Sequence, residues 1–224
     1  EANEFEPDAL RPILAGGEID KWLIRNTNHQ IIYSTKDTKV PRFENVFSYL
    51  RPYEEKLSKK RETQKGMLPW WCLHWPRYPK LFEGRKIIMR QTADSVRATI
   101  DDDDFYVLNS ILVLRIHPET SISYEALLGL LNSRLCNYIY RKLTQEEGRT
   151  FAEVKPKNIR KLYIPKMDAE SLAFIGAKVI DILSRKKSDE TADVTSIESE
   201  IDHYIYSLYE LTVKEISTIE RVTS

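Results

Sequence analysis

A short polar stretch between two β-branched runs holds the side chains best suited to forming specific hydrogen bonds. The segment reads KIIMRQTADSVRATI, and its pattern predicts two strands joined by a turn. Arg and Gln can form bidentate hydrogen bonds to guanine and adenine edges in a DNA major groove. An ordinary polar turn is the competing interpretation. The base-reading candidates of this predicted hairpin are Arg90, Gln91, Thr92, Asp94, Ser95 and Arg97.

A second group of basic side chains crowds the loop between a predicted helix and a short strand that ends at Pro165. Basic and small polar residues in such a mixture suit phosphate oxygens, which fix register on a duplex without reading sequence. A solvated basic face is the alternative. The candidates for contacts to the DNA backbone are Arg149, Thr150, Lys155, Lys157, Asn158 and Arg160, together with Arg77 and Lys80 further upstream.

An aromatic block precedes the hairpin, between Pro69 and Pro79. It contains Trp70, Trp71, His74 and Trp75, and basic residues follow it closely. Basic side chains interleaved with aromatic ones are typical of nucleic-acid surfaces. The block is too irregular for a secondary-structure prediction, and we treat it as part of the candidate surface.

Motifs for catalysis, cofactor binding and metal binding are not recognisable. The seven glycines are scattered, and the four histidines lack metal-ligand spacing. Glu54 and Lys56 imitate half of a nuclease motif, but the local pattern is helical. The run 101–104 reads DDDD between two predicted strands, which indicates a solvated hairpin tip. We therefore predict no catalytic, cofactor-binding or metal-binding residue in this fragment.

Composition indicates a globular protein. The chain has 224 residues, of which 42% are hydrophobic and 10% aromatic, so it can bury a sizeable core. No run reaches the ~18 apolar residues that span a bilayer, and we expect no membrane partner. Cys72 and Cys136 lie far apart without CxxC spacing, which fits packing roles and a reduced cytoplasm. The absence of a starting methionine leads us to expect an excised fragment.

The elements that must position these candidates form an α+β fold. We predict loop structure up to residue 20, a strand at 30–33, a helix over 43–50 and a charged helix over 53–65, the two forming a hairpin or a kinked helix. Four short strands then form a small twisted antiparallel or mixed sheet. A helix from Ser123 to about Lys142 follows, with Ser123 as its N-cap. Two antiparallel helices and a last one begun by a capping box of Thr212 and Glu215 complete the chain.

Charge divides the chain unevenly, although its formal net charge is +0. The region from Asp168 onward has twice as many acidic as basic side chains, and the preceding part is basic. A localised nucleic-acid surface fits this distribution better than indiscriminate binding of polyanions. We predict an α/β recognition domain over residues 1–166. A C-terminal helical segment over 167–224 would pack on that domain or on a catalytic domain outside this chain.

Several blocks of the sequence resemble one family. YEALLGLLNSRLCNYIYRK followed by RTFAEVKPKNIRKLYIP is similar to the C-terminal specificity domain of TaqI-like adenine-N6 DNA methyltransferases and fused type IIG restriction-modification enzymes. RPILAGGEIDKW resembles the opening turn of that domain, and FEGRKIIMRQ resembles its Lys-Ile strand. IDHYIYSLYELTVKEISTIE resembles the helix that ends many members. The resemblance extends over nearly the whole chain.

The resemblance implies a DNA target-recognition domain that faces the major groove and fixes which adenine is flipped out and methylated. The family's S-adenosylmethionine loop and Asn-Pro-Pro-Tyr motif are absent from this sequence, so only the recognition role carries over. The full-length parent would bind S-adenosylmethionine, and Mg²⁺ for cleavage. The expected partners are double-stranded DNA and a methyltransferase domain in cis.

Two alternatives stay open. Target-recognition domains of type I specificity subunits share the helix, loop and Pro-terminated strand, and they pair with a methylating subunit in trans. The C-terminal ending favours the TaqI-like family. A protein-interaction module that docks a partner through its C-terminal helices is the alternative from a different functional class, and it predicts binding to protein that is insensitive to salt.

Overall fold

The computed structural model describes residues 5–25, 28–38, 42–93, 95–144 and 154–223. The chain divides into two compact units. The smaller unit comprises Glu1–Ile13, Asn28–Glu83 and Asp104–Tyr106, and the larger comprises Leu14–Thr27, Gly84–Asp103 and Val107–Ser224.

The described elements are short strands in the first half of the chain and mostly helices in the second. The strands are β1 (Leu10–Leu14), β2 (Ile19–Asp20), β3 (Leu23–Ile24), β4 (Gln30–Ile32), β5 (Lys86–Arg90), β6 (Ala98–Asp101), β7 (Tyr106–Val107) and β8 (Ile111–Leu114). The α-helices are α1 (Glu44–Leu50), α2 (Glu54–Ser58), α3 (Arg61–Gln64), α4 (Tyr124–Asn132), α5 (Arg134–Thr144), α6 (Pro156–Ile159), α7 (Ala169–Ser188), α8 (Thr195–Leu208) and α9 (Val213–Thr223). The predicted α+β class is confirmed.

An antiparallel sheet of three strands lies at the centre of the larger unit, in the order β6-β5-β8. Ile87 of β5 pairs with Ile100 of β6 and with Leu114 of β8. Residues 86–89 are all buried, so both faces of β5 are covered, and a one-residue slip would bring side chains into the wrong environment. The hairpin of β5 and β6 therefore has a fixed register.

Helices α4 and α7 complete this core. Their approach is so close that a Cβ on Gly129 would come within 2.5 Å of Ile175 Cγ2, which explains a glycine in the middle of a helix. Ser123 caps α4 as predicted, since its hydroxyl accepts a hydrogen bond from the Ala126 amide at 3.0 Å. Thr212 and Glu215 form the predicted capping box before α9.

The smaller unit combines short strands with short helices. Strands β1 and β4 share a sheet with β7, in the order β4-β1-β7, so the prediction of four strands in one sheet was wrong for β7. In its sheet, β1 pairs antiparallel with β4, and Leu10 lies opposite Ile32. The Glu6 carboxylate accepts hydrogen bonds from the amides of Asn45 and Val46, and so satisfies the free N–H groups at the start of α1. Phe47 of α1 packs its ring against the indoles of the aromatic block.

Several predicted elements differ from the observed ones. The predicted helix from Ser123 to Lys142 is interrupted at Ser133, which has an extended backbone (φ −66°, ψ 155°). The interruption is stabilised from outside the helix, because the Arg134 amide donates to the carboxylate of Asp202 at 2.8 Å. The loop predicted up to residue 20 contains β1 and β2, and the charged helix predicted over 53–65 is divided into α2 and α3.

The acidic run is not entirely a solvated tip. Asp101 is the last residue of β6 and is buried, whereas residues 102–104 are exposed as predicted. Helices α7 to α9 belong to the same compact unit as the central sheet. Residues 167–224 therefore share a core with part of the predicted 1–166 domain, and a functional division at residue 166 stays a prediction.

Candidate nucleic-acid interface

The turn between β5 and β6 carries the base-reading candidates, and the backbone of the larger unit holds it on several sides. The Arg90 amide donates to the Arg97 carbonyl at 3.0 Å, which closes the hairpin. The Gln91 amide donates to the carbonyl of Ser110 at 2.8 Å. These bonds join main-chain atoms, so they fix the backbone of the turn.

Two asparagines hold the returning strand. Asn132 is fully buried, and its amide forms a bidentate pair with Ala98: the Ala98 N–H donates to Asn132 Oδ1 at 3.1 Å, and Asn132 Nδ2 donates to the Ala98 carbonyl at 2.9 Å. The Val96 amide donates to Asn137 Oδ1 at 2.7 Å. Strand β6 is at the sheet edge, so these amides take the place of a further strand. Neither asparagine was among the site residues predicted from the sequence.

The candidates at the start of the turn are accessible. Arg90 and Gln91 are half-buried, and Thr92 is exposed. Arg90 Nε donates to the Thr92 carbonyl at 2.8 Å, which orients the guanidinium. A guanidinium has further N–H donors in a planar fork, so this contact leaves donors that can engage a base edge. Ser95, at the other end of the turn, is half-buried.

Arg97 is engaged with a carboxylate. Its guanidinium lies 3.1 Å from Asp20 Oδ1, and Arg25 contacts the other oxygen of Asp20 at 3.0 Å. Burial alone would raise the pKa of Asp20, but hydrogen bonds from the Lys21 amide and the two arginines outweigh it and lower the pKa. Asp20 therefore competes with a base edge for the Arg97 guanidinium.

The second candidate group lies at α6, which is a single short turn that begins with Pro156. Lys157 and Arg160 are exposed, and Lys155 is half-buried. Asn158 is only 7% exposed, and its burial favours the two neighbouring cations as the contact residues. This segment is also fixed from behind, because the Lys155 amide donates to the hydroxyl of buried Tyr140 at 3.3 Å.

The two predicted groups meet in the structure. The Val154 amide donates to the Gln91 carbonyl at 2.6 Å, and Val154 is fully buried. One backbone hydrogen bond thus joins the hairpin turn to the start of residues 154–160, which we call the basic segment. The larger unit therefore brings the turn that carries Arg90 and Gln91 to the start of the segment that carries the exposed cations.

The opposite end of the hairpin carries a charged pair that, unlike Arg97 and Asp20, is fully buried. Lys86 Nζ lies 2.6 Å from Asp101 Oδ2, and both side chains are 0% exposed. The two residues also face each other in the β5–β6 register. A buried pair of this kind is part of the core and is inaccessible to a nucleic acid.

The aromatic block belongs to the smaller unit, and two of its members have packing roles. The rings of Trp70 and Trp71 lie 5.6 Å apart at 86°, and Phe47 contacts both. Lys60 Nζ fixes the block by donating to the carbonyls of Trp70 at 2.8 Å and Cys72 at 2.6 Å. Both indoles are half-buried.

The remaining members of the block are at the surface. His74 and Trp75 are exposed, and His74 Nε2 lies 3.1 Å from Glu62. The predicted backbone contacts Arg77 and Lys80 follow in the same loop and are exposed. Asp94, Arg149 and Thr150 lie outside the described residues.

A local signal could have revealed the buried asparagine, Asn132. Asn132 follows Leu128 at helical spacing, so it falls on the apolar face of α4. A polar amide on such a face needs hydrogen-bond partners in the core.

Within the described part of the chain, no group of three or more His, Cys, Asp and Glu residues is placed to hold a metal ion. Among the same residues, no helix is both long enough and apolar enough to span a membrane.

The chain belongs to the family of the TaqI-like C-terminal specificity domain, whose family model matches residues 11–164. The match includes the β5–β6 hairpin, α4, α5 and the basic segment. The resemblance found in the sequence is therefore confirmed.

Two known proteins are similar to this chain, one in sequence and one in fold. A candidate type II restriction enzyme and methyltransferase of Methanocaldococcus jannaschii is 36% identical over 86 residues, which are 33% of this chain and 7% of that protein. The type IIL restriction-modification enzyme MmeI, solved in complex with DNA, shares the fold with a TM-score of 0.67 and 11% identity. The likeness covers 97% of this chain and 31% of the MmeI chain. The chain thus spans a minor part of both proteins.

Proposed function

We propose that this chain is the DNA target-recognition domain of a restriction-modification adenine-N6 DNA methyltransferase or endonuclease. The observation that carries the proposal is the hydrogen bond from Val154 to Gln91, since it joins an Arg- and Gln-bearing turn to an exposed basic segment. Membership in a family of specificity domains and likeness to an enzyme solved with DNA support it.

The two groups would divide the work of recognition. Arg90 and Gln91 would form hydrogen bonds to base edges in the major groove, with Thr92, Ser95 and Arg97 beside them. Lys155, Lys157 and Arg160 would contact phosphates and fix the register of the domain on the duplex. Arg77 and Lys80 of the smaller unit would add backbone contacts.

The chemistry would belong to another part of the same protein. A methyltransferase domain in cis would bind S-adenosylmethionine, flip the target adenine and methylate it, and cleavage would use Mg²⁺. The name of the Methanocaldococcus relative, which combines restriction and methylation, favours this arrangement over a separate methylating subunit. The protein would act in the cytoplasm, where its DNA target lies.

Salt-dependent binding to duplex DNA tests the proposal. We expect the 224-residue chain to bind a short duplex weakly, with an affinity that falls steeply as salt rises, because phosphate contacts release counterions. Lys157→Ala should reduce the slope of log K against log salt by about 1. Fluorescence anisotropy titrations at several salt concentrations give both quantities.

Lys187→Ala is the matched control, because it removes an exposed lysine at the end of α7, outside the hairpin and the basic segment. It should leave the slope unchanged. A flat salt dependence of the wild-type chain would contradict the proposal, and so would an equal effect of the two lysine substitutions.

A further inference from the structure

The loop of residues 73–82 in the smaller unit exposes two aromatic rings in a basic setting. Tyr78 is 82% exposed and Trp75 is 64% exposed. Large exposed aromatic side chains mark interaction surfaces when they lie together in one segment. Trp75 belongs to the aromatic block, and Tyr78 follows it directly before Pro79.

The loop is held in one conformation by the rest of the smaller unit. The Leu73 amide donates to the Ser34 carbonyl at 2.9 Å, and the Tyr33 hydroxyl donates to the carbonyl of Arg77. At the other end, Phe82 is buried, and its ring lies 4.5 Å from that of Tyr106. The exposed rings therefore sit on a fixed backbone, so that binding a partner costs little ordering entropy.

Trp75 also has an unusual backbone. Its φ is +56°, in the left-handed region that bulky residues rarely adopt. The neighbouring His74 ring lies 5.9 Å from the indole, and Glu62 holds that histidine. A strained residue persists only where its surroundings impose it, and such residues gather at functional sites.

The charge of the loop selects the class of partner. Residues 68–82 contain Arg77 and Lys80 and no acidic residue. Both cations are exposed, and they alternate with the two rings along the chain. Exposed aromatic faces next to cations are the combination with which proteins bind unpaired nucleotides, since the rings stack on bases while the cations contact phosphates.

We infer that Trp75 and Tyr78 form a stacking site for an unpaired DNA base, with Arg77 and Lys80 contacting the adjoining phosphates. The inference rests on the proposed DNA-binding function and adds a contact that is independent of base identity. Trp70 and Trp71 do not belong to this site, because they pack against Phe47.

Three short duplexes test the inference with the full 224-residue chain. The first is fully paired, the second has one extrahelical nucleotide, and the third has an abasic residue at the extrahelical position. The last two share the backbone distortion, so a difference in their affinity reports stacking on the base. We expect tighter binding to the duplex whose extrahelical nucleotide carries a base.

Tyr78→Ala and Trp75→Ala should each weaken binding to that duplex by roughly 5- to 150-fold and abolish its advantage over the abasic one. Tyr78→Phe keeps the ring and should keep the advantage. Tyr53→Ala is the matched control, because Tyr53 is another exposed aromatic residue of the smaller unit, at 48% exposure. It should leave all three affinities unchanged. Circular dichroism verifies that each variant is folded.

The outcomes separate the two proposals. Equal binding to the base-bearing and abasic duplexes by the wild-type chain overturns the stacking site, and would assign the loop to another partner such as an acidic protein surface. An equal loss in Tyr53→Ala also overturns it. In both cases salt-dependent binding to the paired duplex would leave the recognition function intact, whereas failure to bind any of the three overturns both proposals.

Discussion

The two ends of the β5–β6 hairpin each carry a charged pair, and the pairs differ in burial. Lys86 and Asp101 are 2.6 Å apart and 0% exposed. Arg97 and Asp20 are 3.1 Å apart, and their side chains are 43% and 28% exposed. A charge buried without its partner is costly, whereas an exposed pair exchanges partners at little cost. The comparison indicates that the buried end of the hairpin contributes more to stability, and the proposed function assigns DNA contact to the other end.

Removing one partner of the buried pair should have the largest effect on stability. Asp101→Ala removes the carboxylate that faces the Lys86 ammonium in the core, and we expect a loss of about 3–5 kcal/mol in the free energy of unfolding. Chemical denaturation measures it. Asp102→Ala removes the neighbouring carboxylate, which is 59% exposed, and should cost far less. Equal losses would contradict the difference in burial.

Asn132→Ala should have the next largest effect. It leaves the Ala98 N–H without its partner in the core, and we expect a loss of about 1–3 kcal/mol in the free energy of unfolding. Denaturation with hydrogen exchange at Ala98 would measure the loss and locate it. Asn137→Ala, at the half-buried position, should cost less. The reverse order would mean that the edge of β6 is held mainly from α5.

The exposed pair should contribute least to stability and more to binding. Asp20→Asn should change the free energy of unfolding by less than about 1 kcal/mol. The pKa of Asp20 is lowered on folding, so its contribution is present above the ordinary value of 3.8 and is lost as the pH falls below it. Denaturation at neutral and acidic pH tests this sign.

The same substitution tests whether Arg97 contacts DNA. Asp20→Asn frees Arg97 and should strengthen duplex binding several-fold, by less than about 1 kcal/mol. The gain should disappear in an Arg97→Ala background, as measured by a double-mutant cycle. A gain that persists without Arg97 would show that Asp20 acts through its charge alone.

Local sequence patterns predicted the elements whose signals are local. The β-branched runs indicated β5, β6 and β8, and the capping residues located the starts of α4 and α9. Strand β1 was missed because Pro12 lies within it and a glycine pair follows, both of which indicate a loop. The interruption at Ser133 depends on Asp202, which is far along the sequence, so no local pattern could reveal it.

The candidate site shows the same limit. Residue chemistry located the turn and the basic segment, but their junction at Val154 and Gln91 depends on the tertiary fold. The burial of Asp101 was also unpredictable from a run of four acidic residues, since its partner is fixed by strand register. Interactions between segments that are distant in the sequence thus account for most of the differences between the predicted and the observed site.

The most direct test of the central claim is selection of binding sites from a randomised duplex library. The account predicts that the wild-type chain enriches a defined sequence. Arg90→Ala and Gln91→Ala should each relax the preference at one or two positions, with about 1–3 kcal/mol of discrimination lost. Lys157→Ala should keep the same sequence and bind all sites more weakly. Uniform weakening by both kinds of variant, with the preference unchanged, would contradict the separation of base reading from positioning.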